Sequence, residues 1–374
     1  MKKILAAIGD YIKSTDKLLL LFCMMASCMG LLLLASYNNA FYGTLRGMLV
    51  QTLATGAGLI AAVIISKIDY HFMAKMWKVH APIALALVFL VFFIGTGREG
   101  ADDIAWIQLP FGMSFQPSEL LKLSFILTFS YHLSLVRPQI NSLRNVILLC
   151  IHGAIPAFLI HLQGDDGTAL IFIFIFISMM FAAGLSWKYI AAAFGAVLVA
   201  APVAWFFVLN NDQKLRILYL FNPDNPDYIK NIGWQQYVGR ISIGSGQLTG
   251  KGLFADEYRQ IPEMHNDFIF AFLGEALGFL GCIAAILILT GVCVRLLRIS
   301  RYSKDDLGSF ICVGVFAMIA FQCILNIGMC LNILPVIGVT LPFFSNGGTS
   351  VLITYMAIGM ALSVRVHNKP MLFD

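Results

Sequence analysis

In the run Pro262-Glu263-Met264-His265-Asn266-Asp267 a polar, glycine-fed loop gives way to a long apolar segment. Asp267 therefore falls where an aqueous loop meets a lipid-embedded helix. An ionisable group at that depth is costly to keep and marks a functional site by default. A carboxylate so placed can accept a proton, and if it is catalytic the protein is an enzyme acting on a membrane-bound substrate. The helix that follows carries one more acid, Glu275, and a face of small residues at Gly274, Gly278 and Gly281.

Three other segments place polar groups in or beside apolar spans. Gln116-Pro117-Ser118-Glu119-Leu120-Leu121-Lys122 opens a helix, with Pro117 suited to its first position and Glu119 and Lys122 three residues apart on one face. The same pair also reads as an interfacial ion pair that merely tolerates its depth. Gln163-Gly164-Asp165-Asp166-Gly167-Thr168 is an acidic turn that reads equally as a helix cap. The stretch from Asn332 to Ser350, punctuated by Pro335, Gly338, Pro342, Gly347 and Gly348, re-enters the membrane with non-helical backbone. Such backbone is tolerated only against protein or a water-filled cavity, so Ser345 and its neighbours are expected to line one. His265 is a site candidate or a polar cap.

These residues need a membrane scaffold. A hydrophobic fraction of 59%, 12% charged residues and a mean hydropathy of +0.83 describe an all-α polytopic membrane protein, read as a single membrane domain over residues 1–374. Apolar spans fall near 18–37, 45–66, 79–95, 117–136, 145–162, 168–186, 189–209, 267–295, 308–331 and 347–364, about ten in all. A large loop of about 57 residues, 210–266, separates the seventh from the eighth. Its aromatic and basic residues, as in Lys214–Leu220, suit helices lying along the membrane surface rather than disorder. The stretch from Thr96 to Gln116 is expected to be the next longest loop.

With the N-terminus placed in the cytoplasm, that side holds 16 of the 25 Lys and Arg residues but only 6 of the 20 acids. This asymmetry puts both termini in the cytoplasm and the large loop outside, and it explains the net charge of +5 without a nucleic-acid partner. The eight cysteines lie in apolar runs and read as buried thiols. No histidine or cysteine spacing suggests a metal site, and the glycines at 244–252 lack the spacing and context of a nucleotide loop.

Five ordered segments together resemble one family: FQPSELLKL at 115–123, GDDGTAL at 164–170, IGSGQLTGKGL at 243–253, PEMHNDFIFAFLGEALGFLG at 262–281 and GVTLPFFSNGGTS at 338–350. They are similar to those of the SEDS proteins (shape, elongation, division and sporulation), which include RodA, FtsW and SpoVE. The likeness covers almost the whole chain. It implies a peptidoglycan glycosyltransferase that polymerises lipid II into glycan strands at the outer face of the bacterial cytoplasmic membrane, in cell-wall synthesis, cell shape and division. It also implies a class B penicillin-binding protein as partner and Asp267 as the catalytic residue. The family's further polar positions fall on Glu119, Lys122 and Asp165. The short tails lean toward the RodA type, hence toward elongation rather than division. Departures mark a divergent member: Gly164 and Asp166 where the family has Pro and Leu, Ala276 after a single Glu275, Asn346 where it has Tyr, and Ala105 before Trp106.

The implied chemistry suits these side chains. A lipid diphosphate leaves an anomeric carbon without being protonated, so the paired carboxylates of many glycosidases are unnecessary. One base, Asp267 at the start of a helix whose dipole favours its ionised form, would take the proton of the attacking sugar hydroxyl. Lys122, Arg240 and Lys251, or a divalent cation such as magnesium or manganese, would receive the diphosphate. Glu119 would hold Lys122, Asp165 would line the same cavity, and His265, Glu275 and Ser345 complete the expected substrate-binding set. Apolar grooves between helices, open to membrane lipid, would take the polyprenyl tails. A transporter that flips a lipid-linked precursor would use similar embedded charges and broken helices. A scaffold that only recruits a penicillin-binding protein would not need Asp267.

Overall fold

The computed structural model describes residues 14–43, 46–97, 104–109 and 113–368. Half of the long helices begin where a side chain caps them. Asp16 accepts from the Leu19 N–H (2.9 Å) and opens α1, Lys17–Phe41. Next come α2 (Arg46–Ser66), the short α3 (Tyr70–Lys75) and α4 (Trp77–Ile94). Pro117 stands at the first turn of α5, Pro117–Val136. Ser142 caps α6 (Leu143–His161), Asp165 caps α7 (Asp166–Ala182) and Ser186 caps α8 (Trp187–Val203). The large loop carries two amphipathic helices, α9 (Asn211–Phe221, with a reciprocal Asn210–Gln213 capping box) and α10 (Trp234–Ser245). Three long helices follow: α11 (Ile269–Arg301), α12 (Asp306–Cys330, capped by Asp305) and α13 (Gly348–His367).

Nine helices among the described residues are long and apolar enough to cross a membrane. The remaining expected span, the sixth, is α7. Its 17 residues reach about 25 Å, a little short of a typical hydrocarbon core. The chain is therefore a multi-pass membrane protein with the expected helical order. α12 and α13 form its centre, with 72% and 67% of their apolar windows buried, whereas none of the window on α8 is. Close packing at the centre relies on small residues, as is usual between helices in lipid. A Cβ on Gly359 of α13 would stand 2.8 Å from the Ala62 backbone of α2.

Three expectations change. The stretch from Thr96 to Gln116 is not simply a loop: β1 (Thr96–Gly97), β2 (Ile104–Leu109) and β3 (Met113–Phe115) pair antiparallel in that order. Strands this short leave no readable alternation in the sequence. The eighth span starts at Ile269, with Phe268 as its cap, so Asp267 lies in the turn before the helix and not in its first turn. Cys28 and Cys150 are exposed and Cys293 is half-buried, whereas the other five cysteines are buried. In a membrane, apolar acyl chains can cover such outward-facing thiols as well as protein can.

Candidate active site

The turn that carries Asp267 is held by α12 and by the re-entrant segment, which α2 braces in its turn. The Asn326 amide on α12 donates to the Asp267 carbonyl and to the Val339 carbonyl, both at 2.7 Å, joining the turn to the re-entrant segment. Ser345 donates to the Asn266 carbonyl (2.6 Å) and accepts from the Leu341 N–H (2.7 Å), and the Asn346 N–H donates to the His265 carbonyl (2.8 Å). Gln51 on α2 completes the clamp, donating to the Ser345 carbonyl at 3.0 Å and accepting from the Gly347 N–H at 3.1 Å. Main-chain groups freed from helix at this depth are thus paired, as a low-dielectric setting demands. Glu263, Asn332 and Phe343 adopt positive φ (55°, 58° and 70°), a conformation unfavourable for side chains with a Cβ. All three sit in the turns around Asp267.

The Asp267 side chain is only 6% exposed. His265 stacks on Tyr37 with ring centroids 5.2 Å apart. Burial holds its imidazole below the usual value, against the opposing charge of Glu263, which keeps the ring neutral near pH 7.

Glu275 is fully buried and occupied by protein donors. Its carboxylate accepts from Ser242 Oγ (2.6 Å), Lys251 Nζ (2.5 Å) and the Arg259 N–H (3.1 and 3.3 Å). Those donors come from α10 and from the two loop stretches that follow it. Around this hub α11 breaks at Gly278 (φ 65°), and the loop repairs the break. The N–H groups of Lys251 and Gly252 donate to the carbonyls of Glu275 and Ala276, both at 2.9 Å. In return the N–H groups of Phe279 and Leu280 donate to the carbonyls of Gln247 and Leu248. Backbone approaches this closely only because glycines meet: a Cβ on Gly246 would lie 1.9 Å from the Gly274 oxygen, and one on Gly250 2.2 Å from the Ala276 oxygen.

The other sequence candidates form a second buried group. Lys122 Nζ meets Glu119 Oε1 at 2.8 Å, with the two side chains 1% and 7% exposed. With its amide oriented to satisfy both neighbours, Gln322 on α12 accepts from Lys122 Nζ at 3.2 Å and donates to the Met318 carbonyl. Gln322 and Asn326 stand one turn apart, so Lys122 and the Asp267 turn meet the same face of α12, about 6 Å apart along its axis. Asp165 caps α7 through the Thr168 N–H (2.9 Å) and also accepts from Gln116 Nε2 (2.7 Å), which joins the acidic turn to the start of α5. A Cβ on Gly167 would lie 2.2 Å from the Ile337 oxygen, so that turn packs directly on the re-entrant segment.

The expected diphosphate cations are engaged. Lys122 pairs with Glu119, Lys251 with Glu275, and Arg240 with Asp224 at 3.2 Å near the loop surface. Arg216, bound to the Val336 carbonyl at 3.1 Å, and exposed Arg259, whose N–H is anchored on Glu275, are loop cations that sequence reasoning missed. The amides of Gln51, Gln322 and Asn326 were missed as well. Their signal was available, because each is a polar side chain inside an apolar span. Among the described residues no three His, Cys, Asp or Glu side chains converge as a metal cage.

Residues 16–370 match the FtsW, RodA and SpoVE family, described as "Cell cycle protein". The chain is 30% identical over 380 residues to the probable peptidoglycan glycosyltransferase FtsW of Geobacter metallireducens, covering 96% of each. It is 31% identical to stage V sporulation protein E of Bacillus subtilis, over 95% of this chain and 98% of that one. Peptidoglycan glycosyltransferase MrdB of Escherichia coli is also 31% identical, over 83% of this chain and 84% of that one. Among solved structures, a chain from a peptidoglycan synthase complex that coordinates polymerization and crosslinking superimposes with a TM-score of 0.81 at 24% identity, over 95% and 99% of the two chains. RodA of Thermus thermophilus gives 0.70 at 24% identity, over 95% and 97%.

Proposed function

The chain belongs to the FtsW, RodA and SpoVE family of membrane-embedded peptidoglycan glycosyltransferases, and from that premise we propose that it polymerises lipid II with Asp267 as the base. The observation that carries the residue assignment is the grip of α12 and the re-entrant segment on the 265–267 main chain, three hydrogen bonds that hold the turn bearing Asp267 at the mouth of α11. Rigid placement of a base relative to its substrate is what lets it act in the transition state.

In the proposed step, Asp267 removes the proton from a sugar hydroxyl as that oxygen bonds to the anomeric carbon of a second lipid-linked sugar. The bond from that carbon to the diphosphate oxygen breaks, and the lipid diphosphate leaves as an anion. Asp267 then releases its proton to water. The buried Glu119–Lys122 pair places a cation one turn of α12 from Asp267, and Arg216, Arg240, Lys251 and Arg259 supply positive charge from the loop. A divalent ion, magnesium or manganese, would be carried mainly by the diphosphate oxygens, with one or two carboxylates completing its shell. Glu275 acts through the loop that it organises, and Asp165 and Ser345 act through the backbone they fasten. An apolar cavity of 330 Å³ at the break in α11, lined by Ile243, Gln247, Phe270, Phe279 and Ile286 among others, suits a stretch of polyprenyl tail.

The reading places this chemistry on the outer face of the bacterial cytoplasmic membrane, with both termini in the cytoplasm. A class B penicillin-binding protein is the expected partner, in keeping with the synthase complex whose chain shares this fold. Purified protein in detergent, given lipid II with and without that partner and divalent ions, is expected to make glycan strands resolvable on a gel. A transporter makes none, because detergent leaves nothing to translocate across. Absence of strands under all of these conditions would overturn the reading.

A further inference from the structure

The far end of α11 holds a polar site unrelated to the chemistry at Asp267. Arg295 lies 26 residues beyond Ile269, roughly 40 Å along the helix. There the start of α1, the end of α11 and the end of α13 border a half-open cavity of 440 Å³, lined by Asp16, Arg295, Arg298, Tyr302, Arg365 and Asn368.

Part of the wall is a finished frame. Asp16, 4% exposed, caps α1 and also receives the Arg295 guanidinium, at 2.5 Å from Nη2 and at 3.1 and 3.2 Å from Nε. Asn368 accepts from the Lys304 N–H at 2.8 Å and donates to the Tyr302 carbonyl, which fastens the turn after α11 to the end of α13. Arg298 and Arg365 are exposed on this frame, and among the described residues no ion pair with an acid engages either. Among the described residues, one carboxylate against three guanidiniums gives the lining a net charge of +2.

Arginines at helix ends are ordinary in membrane proteins. These differ in converging on a half-open cavity where the carboxylate among the described lining residues is already neutralised. Guanidinium forks match the oxygens of a phosphate and bind them in pairs. The neighbouring surface indicates where that phosphate comes from. Leu18 and Leu21 on α1, and Val294 and Leu297 on α11, are exposed within about a turn and a half of the cavity residues on the same helices. Apolar surface for acyl chains thus begins where the cations end. We propose that this cavity binds the phosphate of an anionic phospholipid, with Arg298 and Arg365 as its ligands and the Asp16–Arg295 pair as its frame.

The test is the melting temperature of the purified full chain in detergent, titrated with phosphatidylglycerol, phosphatidylcholine or inorganic phosphate. Wild type is expected to be stabilised by phosphatidylglycerol and not by the other two. The Arg298→Gln/Arg365→Gln double variant should need at least about tenfold more phosphatidylglycerol for the same rise, and the corresponding double Lys variant should recover part of the affinity. Strand synthesis in detergent serves as the fold control, and both variants retain it. An unchanged titration in the Gln variant overturns the site. An equal rise with phosphatidylcholine overturns the selectivity for an anionic lipid, and an equal rise with millimolar inorganic phosphate assigns the cavity to a soluble anion instead.

Discussion

At Asp267 hydrogen bonds from Asn326, Ser345 and Asn346 hold the main chain of the turn, whereas at Glu275, eight residues on, the protein holds the carboxylate itself. The two acids share one helix entrance and are both buried; what marks the Asp267 turn is the set of hydrogen bonds on its main chain. A carboxylate whose oxygens accept from a lysine, a serine and a backbone N–H is committed to holding structure together. A carboxylate on a turn held by two separate elements is kept at a defined point. Burial alone therefore does not tell the two acids apart; in the proposed function the hydrogen bonds that hold the Asp267 main chain are what favour it as the base.

The comparison can be broken most severely on the Glu275 side. Gly250→Ala sets a Cβ 2.2 Å from the Ala276 oxygen at a φ of +82°, so little folded protein is expected to survive detergent extraction, as size-exclusion chromatography would show. Glu275→Ala leaves its donors without their acceptor and should cost about 3 kcal/mol, the low end for a broken buried pair because Lys251 is one-third exposed. A clearly lowered melting temperature checks this, and Glu275→Gln should recover part of it.

A smaller stability effect with a larger functional one is expected at Asn326. Asn326→Leu leaves the Asp267 and Val339 carbonyls without that donor and costs about 1–3 kcal/mol. Its rate of strand synthesis should fall further than its melting temperature implies, because the base loses its register. A proportionate loss of both would make the clamp merely structural.

The smallest effect concerns pH. Burial depresses the His265 pKa in the folded protein, so as pH falls below about 6.5 the unfolded chain takes up a proton before the folded one does. Stability should therefore decline gently on the acid side of that value. The decline should be weaker in His265→Phe, measured as melting temperature between pH 7.5 and 5.5.

Much of this arrangement was legible in the sequence, and the illegible part has a common cause. Apolar runs located the spans, and the loop-to-helix transition located Asp267, because depth in a bilayer is written in composition. The Glu119–Lys122 pair could be read because both members lie three residues apart on one helix. Asp165 was readable as a cap for the same local reason, and the structure shows that it caps α7 while also receiving Gln116.

The clamp on Asp267 joins residues 51, 267, 326 and 345, which only the folded chain brings together. The positive φ angles of Glu263, Asn332 and Phe343 were invisible because none of these residues is glycine. Gly274, Gly278 and Gly281 read as a small-residue face, yet Gly278 is where the helix breaks, and Gly274 and Gly278 are where the loop backbone closes on it. The short sheet at 96–115 escaped because its pairings are too brief for period two to register.

The measurement that bears most directly on Asp267 is lipid II polymerisation by purified Asp267→Asn beside wild type, with the melting temperature of each recorded in the same detergent. Replacing the base while keeping its shape should cut strand synthesis by about 10²-fold or more and leave the melting temperature nearly unchanged. Strands made at the wild-type rate by Asp267→Asn would contradict the assignment of Asp267 as the base.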